Sequence, residues 1–238
     1  MDKLIAQGLH RARGVVLKRR DFPGGDRILH LLLEDFGPIR VVAPGAARGK
    51  MRFGGATEPL VWGFFHLYRS ASRFYLRDVD VRRDFLELRR CGMTILKAVE
   101  WAGMIARHTM EGHACNSLLS LFFRGLSDLA DGDVPVAAAD LRFILKWLRL
   151  WGMCPDLSRC GGCGSNIHSG RLIGDTLLCP SCSPPTGGVA LGNGSLGVLQ
   201  RVVYLSNSDF LAWAPNVDDW SRVSEAGLLL KGHFEKMA

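Results

Sequence analysis

The sequence predicts an α+β multidomain protein: a five-stranded β-barrel at the N-terminus, then an α-helical domain carrying an inserted four-cysteine ribbon. Three observations predict it. Through the first 85 residues apolar side chains alternate with period 2, and from Phe85 onward they recur at helical spacing. Turn signals at Pro23-Gly24-Gly25-Asp26, Phe36-Gly37-Pro38 and Gly54-Gly55 cut the first part into short runs. Four of the seven cysteines form two Cys-x-x-Cys pairs separated by fifteen residues.

The expected strands are Ala12–Arg19, Arg27–Glu34, Gly37–Ala43, Pro59–Tyr68 and Phe74–Val81. In the second, Leu29, Leu31 and Leu33 share one face, with His30 and Glu34 on the wetter side. In the fourth, period 2 puts Leu60, Trp62, Phe64 and Tyr68 together, and that face is expected in the barrel core. Five short strands followed by helices fit the OB-fold, a barrel that binds oligonucleotides. An SH3-like barrel fits the same pattern.

Phe85, Leu88, Ile95, Val99, Ala102 and Ala106 predict a long helix ending near Met110. A second helix is expected from the N-cap Asn116 to Ala130, before the breaker Asp131-Gly132-Asp133-Val134-Pro135. A third, Val136–Trp151, is apolar over more than half its circumference and should be central to a bundle. Two further helices, Ser195–Leu205 and Val217–Lys236, close the chain. The expected division is 1–84 for the barrel, 85–156 and 188–238 for the helical domain, and 157–187 for the ribbon.

Net charge is +7, and residues 1–85 hold all of it: 16 Lys and Arg against 9 Asp and Glu, with 14 against 14 in the remainder. A basic module on a neutral body points to an anionic partner, nucleic acid first. No uncharged apolar run reaches the roughly 18–20 residues of a membrane span. The N-terminus turns basic at His10-Arg11 without a secretory core, so a soluble, cytoplasmic protein is expected.

Cys160, Cys163, Cys179 and Cys182 carry the sharpest chemistry. Two thiolates two residues apart on a tight turn can reach one ion, and two such knuckles complete a tetrahedral shell at about 2.3 Å. One structural zinc is expected, with no open position for a water. An odd cysteine total without a secretory signal argues against a disulfide framework. His168 is expected to be exposed rather than a ligand.

Basic residues interleave with the barrel at Lys18-Arg19-Arg20, Arg27, Arg40 and the glycine-flanked run Arg48-Gly49-Lys50-Met51-Arg52, and 10 of the chain's 21 aromatics share this region. Cationic grooves with stacking rings suit single-strand binding. Catalytic motifs are lacking. Gly45–Met51 is one residue short of a P-loop and has Met51 where Ser or Thr should hold magnesium. His108 and His113 miss the helical spacing of a zinc protease, and Asn193 replaces the first glycine of a nucleophile elbow before Gly194-Ser195-Leu196-Gly197. No enzyme is expected. Zinc-ribbon transcription or assembly factors, which bind protein, are the rival class.

Gly14-Val15-Val16-Leu17, the Pro23–Asp26 turn, Leu31-Leu32-Leu33, the basic loop Gly45–Arg52 with Phe53-Gly54-Gly55, then Leu86-Glu87-Leu88-Arg89 and the four-cysteine insert resemble, in that order, the RecO family. The resemblance covers essentially the whole chain. It implies a bacterial recombination mediator for DNA repair with an OB domain, a helical domain and a zinc ribbon. Such a protein is expected to bind single- and double-stranded DNA and to anneal strands without ATP. It is also expected to work with RecR and to help load recombinase on strands coated by single-stranded-DNA-binding protein (SSB). The acidic SSB tail docks on the helical domain in that family, and a monomer is expected for the chain alone. Arg19, Arg20, Arg27, Arg40, Arg48, Lys50 and Arg52 are the DNA contacts this resemblance implies. Gly24 stands where the family's turn often has an acid, which removes any role for that carboxylate here.

Overall fold

A computed structural model describes residues 6–48 and 52–217, together with Trp220, Gly227 and Gly232. Five strands come first: β1 Gly8–Asp21, β2 Arg27–Leu33, β3 Gly37–Ala43, β4 Trp62–Arg69 and β5 Phe74–Arg83. They close a barrel in the order β1-β2-β3-β5-β4. All neighbours are antiparallel except β3 and β5, which pair in parallel through Val41–Phe74 and Val42–Tyr75. This is the OB-like barrel that the alternating runs predict.

Leu29, Leu31 and Leu33 fill the core as expected, with Val16, Ile39, Val41 and Leu76. The fourth strand is turned over relative to the sequence expectation. Val61, Phe65 and Leu67 point into the core, while Trp62, Phe64 and Tyr68 face outward. Both of its faces are apolar, so alternation alone could not choose between them. Two features of the folded backbone do. Leu60 has a left-handed backbone (φ 73°) that breaks the period before the strand begins, and a Cβ on Gly63 would lie 2.3 Å from the Asp80 carbonyl oxygen. Trp62 is then buried from outside by Phe123, 4.5 Å away between centroids.

Helices follow: α1 Gly92–His108, α2 Asn116–Asp131, α3 Val136–Leu150, α4 Asn193–Tyr204 and α5 Asn207–Trp213. The first begins later than expected because Phe85 is left-handed (φ 52°) and a 3-10 turn spans Leu86–Arg90. The fifth was not expected; Ser206 caps it, its hydroxyl accepting from the Asp209 N–H at 3.2 Å. The expected helix Val217–Lys236 lies almost wholly outside the described residues. Among the described residues no helix is long and apolar enough to cross a membrane.

The chain forms two compact units, residues 1–130 and 131–238. In the first, the loop between α1 and α2 is stitched to the turn between β2 and β3. The Gly112 N–H donates to the Pro38 carbonyl, and Asp35 and Asn116 exchange two hydrogen bonds of 2.8 Å. A Cβ on Gly37 (φ 69°) would fall 1.8 Å from the His113 carbonyl oxygen, so only glycine fits. In the second unit α3 buries Leu141, Phe143, Leu145 and Trp147. Arg142, 7% exposed, donates to the carbonyls of Val202, Leu205 and Ser206 and so satisfies the C-terminal end of α4. The ribbon adds β6 Gly170–Ile173, β7 Thr176–Leu178 and β8 Val189–Leu191 in the order β7-β6-β8.

Candidate nucleic-acid cleft and metal centre

Two loops rise on one side of the barrel. Phe22–Asp26 joins β1 to β2, and Ser70–Arg73 joins β4 to β5. The second is a tight hairpin: the Ser70 N–H and hydroxyl both donate to the Arg73 carbonyl, at 2.9 and 3.0 Å. The first is tied to the loop after β3. The Gly45 N–H donates to Asp26 Oδ1 at 2.8 Å, and Arg48 Nε donates to the Gly24 carbonyl at 3.2 Å. Gly25 suits the turn because its backbone is left-handed (φ 86°), a conformation that other residues rarely adopt. Between the two loops, over β2 and β3, lies a cavity of about 780 Å³ lined by Phe22, Ile28, Arg40, Val42, Arg69, Arg73, Phe74 and Glu111, among others. In an OB-fold this is where oligonucleotides bind.

The cleft is cationic, with Arg40, Arg69 and Arg73 on its walls against two acids, Asp26 and Glu111. Lys18, His30 and Arg40 are cross-strand neighbours on β1, β2 and β3. Glu111 reaches in from the α1–α2 loop, pairing with Arg40 Nε at 3.4 Å and accepting from the Arg40 backbone N–H at 3.2 Å. Burial first, then Lys18 and Arg40, hold His30 below the ordinary imidazole range, with Glu111 opposing them.

The residues expected to meet DNA are not all placed alike. Arg40 lines the cavity, and exposed Arg48 stands on the loop beside it. Arg20 is exposed over the Phe22 ring at 5.2 Å, and Arg52 is exposed over Phe53 at 5.0 Å. Arg27 is 3% exposed: it clasps Asp21 through Nε and Nη2 at 2.6 and 3.2 Å and donates from Nη1 to Thr57 and Glu58. That grip is what chiefly holds the Asp21 carboxyl below its usual range. Arg19 pairs with the same two acids at 2.9 and 3.0 Å. Arg19 and Arg27 therefore knit the end of β1 to the turn at 54–58 and present little free charge. Lys50 lies outside the described residues. Arg69, Arg73, Phe22 and Phe74 line the cavity but are not among the DNA contacts expected from the sequence, where the Arg69–Arg83 stretch is only the alternative location. The signal was the loop between the fourth and fifth expected strands, which the OB pattern marks as a binding loop.

The four cysteines do converge. The Sγ atoms of Cys160, Cys163, Cys179 and Cys182 all lie within 4.8 Å of one another, and Cys163 and Cys179 are 3.9 Å apart. Ligands at about 2.3 Å around one ion sit roughly 3.8 Å apart, so the set needs only slight contraction. Backbone N–H groups of Gly162 and Cys179 donate to Cys160 Sγ at 3.4 and 3.2 Å. Such donors, that of Cys179 foremost, lower the Cys160 thiol to about 6. The neighbouring thiols push the other way at Cys182, raised to about 12, chiefly by Cys179. Four converging thiols are a donor set that suits a divalent metal ion.

Comparison with known proteins agrees with this architecture. The family model "Recombination protein O N terminal" matches residues 7–85, and "Recombination protein O C terminal" matches residues 102–220. A DNA repair protein RecO from Anaeromyxobacter sp. (strain K) is 31% identical over 196 residues, covering 79% of this chain and 77% of that protein. The RecO of Rubrobacter xylanophilus is 28% identical over 204 residues, 83% of this chain and 82% of that protein. The two matched regions take in the cleft and the cysteine cluster, and the chain belongs to the RecO family of DNA repair proteins.

Proposed function

We propose that this chain is a cytoplasmic recombination mediator that acts without ATP hydrolysis. It holds single-stranded DNA in the β2–β3 cleft, anneals complementary strands, and binds double-stranded DNA as well. With RecR it helps load recombinase on SSB-coated strands, the SSB tail docking on the helical part. Residues 1–84 form the DNA-binding domain, 85–156 and 188–238 the helical domain, and 157–187 a ribbon held by one structural zinc on Cys160, Cys163, Cys179 and Cys182. The observation that supports this reading best is the cavity between loops 22–26 and 70–73, with Arg40, Arg69 and Arg73 on its walls. The phosphate contacts we propose are these three with Arg20, Arg48, Lys50 and Arg52.

A salt series tests it. For single strands log K falls by about 0.7 per neutralised phosphate for each decade of salt. Replacing Arg40, Arg69 and Arg73 by Ala should flatten the slope by about 1.4–2.1, equally for homopolymers and mixed sequences. An unchanged slope in a folded variant would remove the strand from the cleft.

The cleft also predicts a pH dependence. Burial and neighbouring cations hold His30 below the ordinary imidazole range in the free protein, and an anionic strand beside it favours the charged form. Binding therefore takes up a proton, and affinity rises as pH falls through the bound-state pKa, by at most about tenfold per unit. His30→Gln should abolish that rise without weakening binding at pH 8. Anisotropy titrations from pH 8 to 5.5 check it.

A further inference from the structure

The barrel has a second charged face, formed by the outer sides of β1, β4 and β5. The register sets Arg11 opposite His66 and Arg13 opposite Phe64. Arg11 and Arg82 lie over the Phe64 ring, 3.9 and 5.5 Å from its centroid, and Arg77 lies 5.3 Å from the centroid of Tyr68. The two rings are four residues apart on one strand, about 13 Å. Arg11 and His66 share Asp80 at 3.5 and 3.0 Å, and Arg13 pairs with Glu34 at 2.7 Å. Arg77 and Arg82 are exposed, and neither pairs with a carboxylate among the described residues. None of these side chains lines the cleft cavity.

We propose that this face is a second binding surface for single-stranded nucleic acid, separate from the cleft. A guanidinium laid on a ring is already ordered, so it loses little freedom on bonding a phosphate, and a base can continue the stack on it. Alternating rings and cations suit a nucleotide chain. An acidic peptide would use the cations but not the rings. One barrel then holds two strands at once, which is the arrangement that pairing complementary strands requires. Simultaneous filling rests on the cleft reading; the assignment of this face does not.

The experiment is a titration of the full chain with short labelled oligothymidine, reading stoichiometry and salt slope. The wild type should saturate at two strands per chain. Arg77→Ala with Arg82→Ala should saturate at one and flatten the slope by about 1.4, and the cleft variant at Arg40, Arg69 and Arg73 should also saturate at one. If the face variant binds as the wild type does, the inference is overturned and the face is left to a protein partner. If only the face variant loses binding, the cleft reading fails and this one stands. Arg77→Gln with Arg82→Gln, checked by circular dichroism, repeats the measurement should the Ala pair not fold.

Discussion

Cys160→Ser is expected to strip the metal from the purified protein and to unfold the ribbon while the barrel stays intact. Cys160 is the buried member of the cluster, 2% exposed, and the one whose sulfur accepts from two knuckle amides. The apolar support around it is small: Leu157, Ile167, Leu172, Leu177 and Leu191. Structural zinc in such knuckles contributes roughly 10–16 kcal/mol in isolated peptides, more than a handful of leucines can replace. Elemental analysis should find one zinc per wild-type chain and substoichiometric metal in the variant. Hydrogen exchange should show protection lost across residues 157–191 and kept across β1–β5. A variant without metal whose ribbon remains protected would show that the thiols are structural by packing alone.

Phe65→Ala should cost about 3–5 kcal/mol, and Phe64→Ala only about 1–2 kcal/mol. The two neighbours look alike in sequence, but Phe65 is fully buried in the barrel core and Phe64 is half-buried under arginines on the outside. Urea unfolding of the two variants measures the difference. Equal losses would return the fourth strand to the face that the alternation of Leu60, Trp62, Phe64 and Tyr68 suggests.

That strand shows where sequence stops being sufficient. The second strand was legible because Leu29, Leu31 and Leu33 share one face while His30 and Glu34 mark the other as the wetter one, although Leu32 on that side is buried too. The fourth was not, because α2 supplies an outer partner for Trp62 and arginines supply one for Phe64, and neither is local. The convergence of the four cysteines was legible, since two pairs at knuckle spacing define their own geometry. The cleft was legible in part. Arg40 follows from its strand, but the burial of Arg27 depends on Thr57 and Glu58, some thirty residues away. The parallel pairing of β3 with β5 that closes the barrel leaves no trace in periodicity. Arg69 and Arg73 needed only a reading of their loop by its place between strands.

Gln200, on α4, donates from Nε2 to the carbonyls of Leu157 and Ile167 at 2.7 and 3.3 Å, one on each side of the first cysteine knuckle. The same helix is fastened at its end by Arg142. An insert held at both ends of its first turn by a clamped helix is an ornament in fixed orientation, unlike a tethered finger that samples many. Whatever docks on the ribbon meets a surface already arranged, and the entropy of ordering that surface has been surrendered during folding rather than at the encounter. Its affinity is then set by the shape of the ribbon. Cutting the Gln200 bonds, as in Gln200→Ala, converts the same contacts into a weaker site without touching one of them.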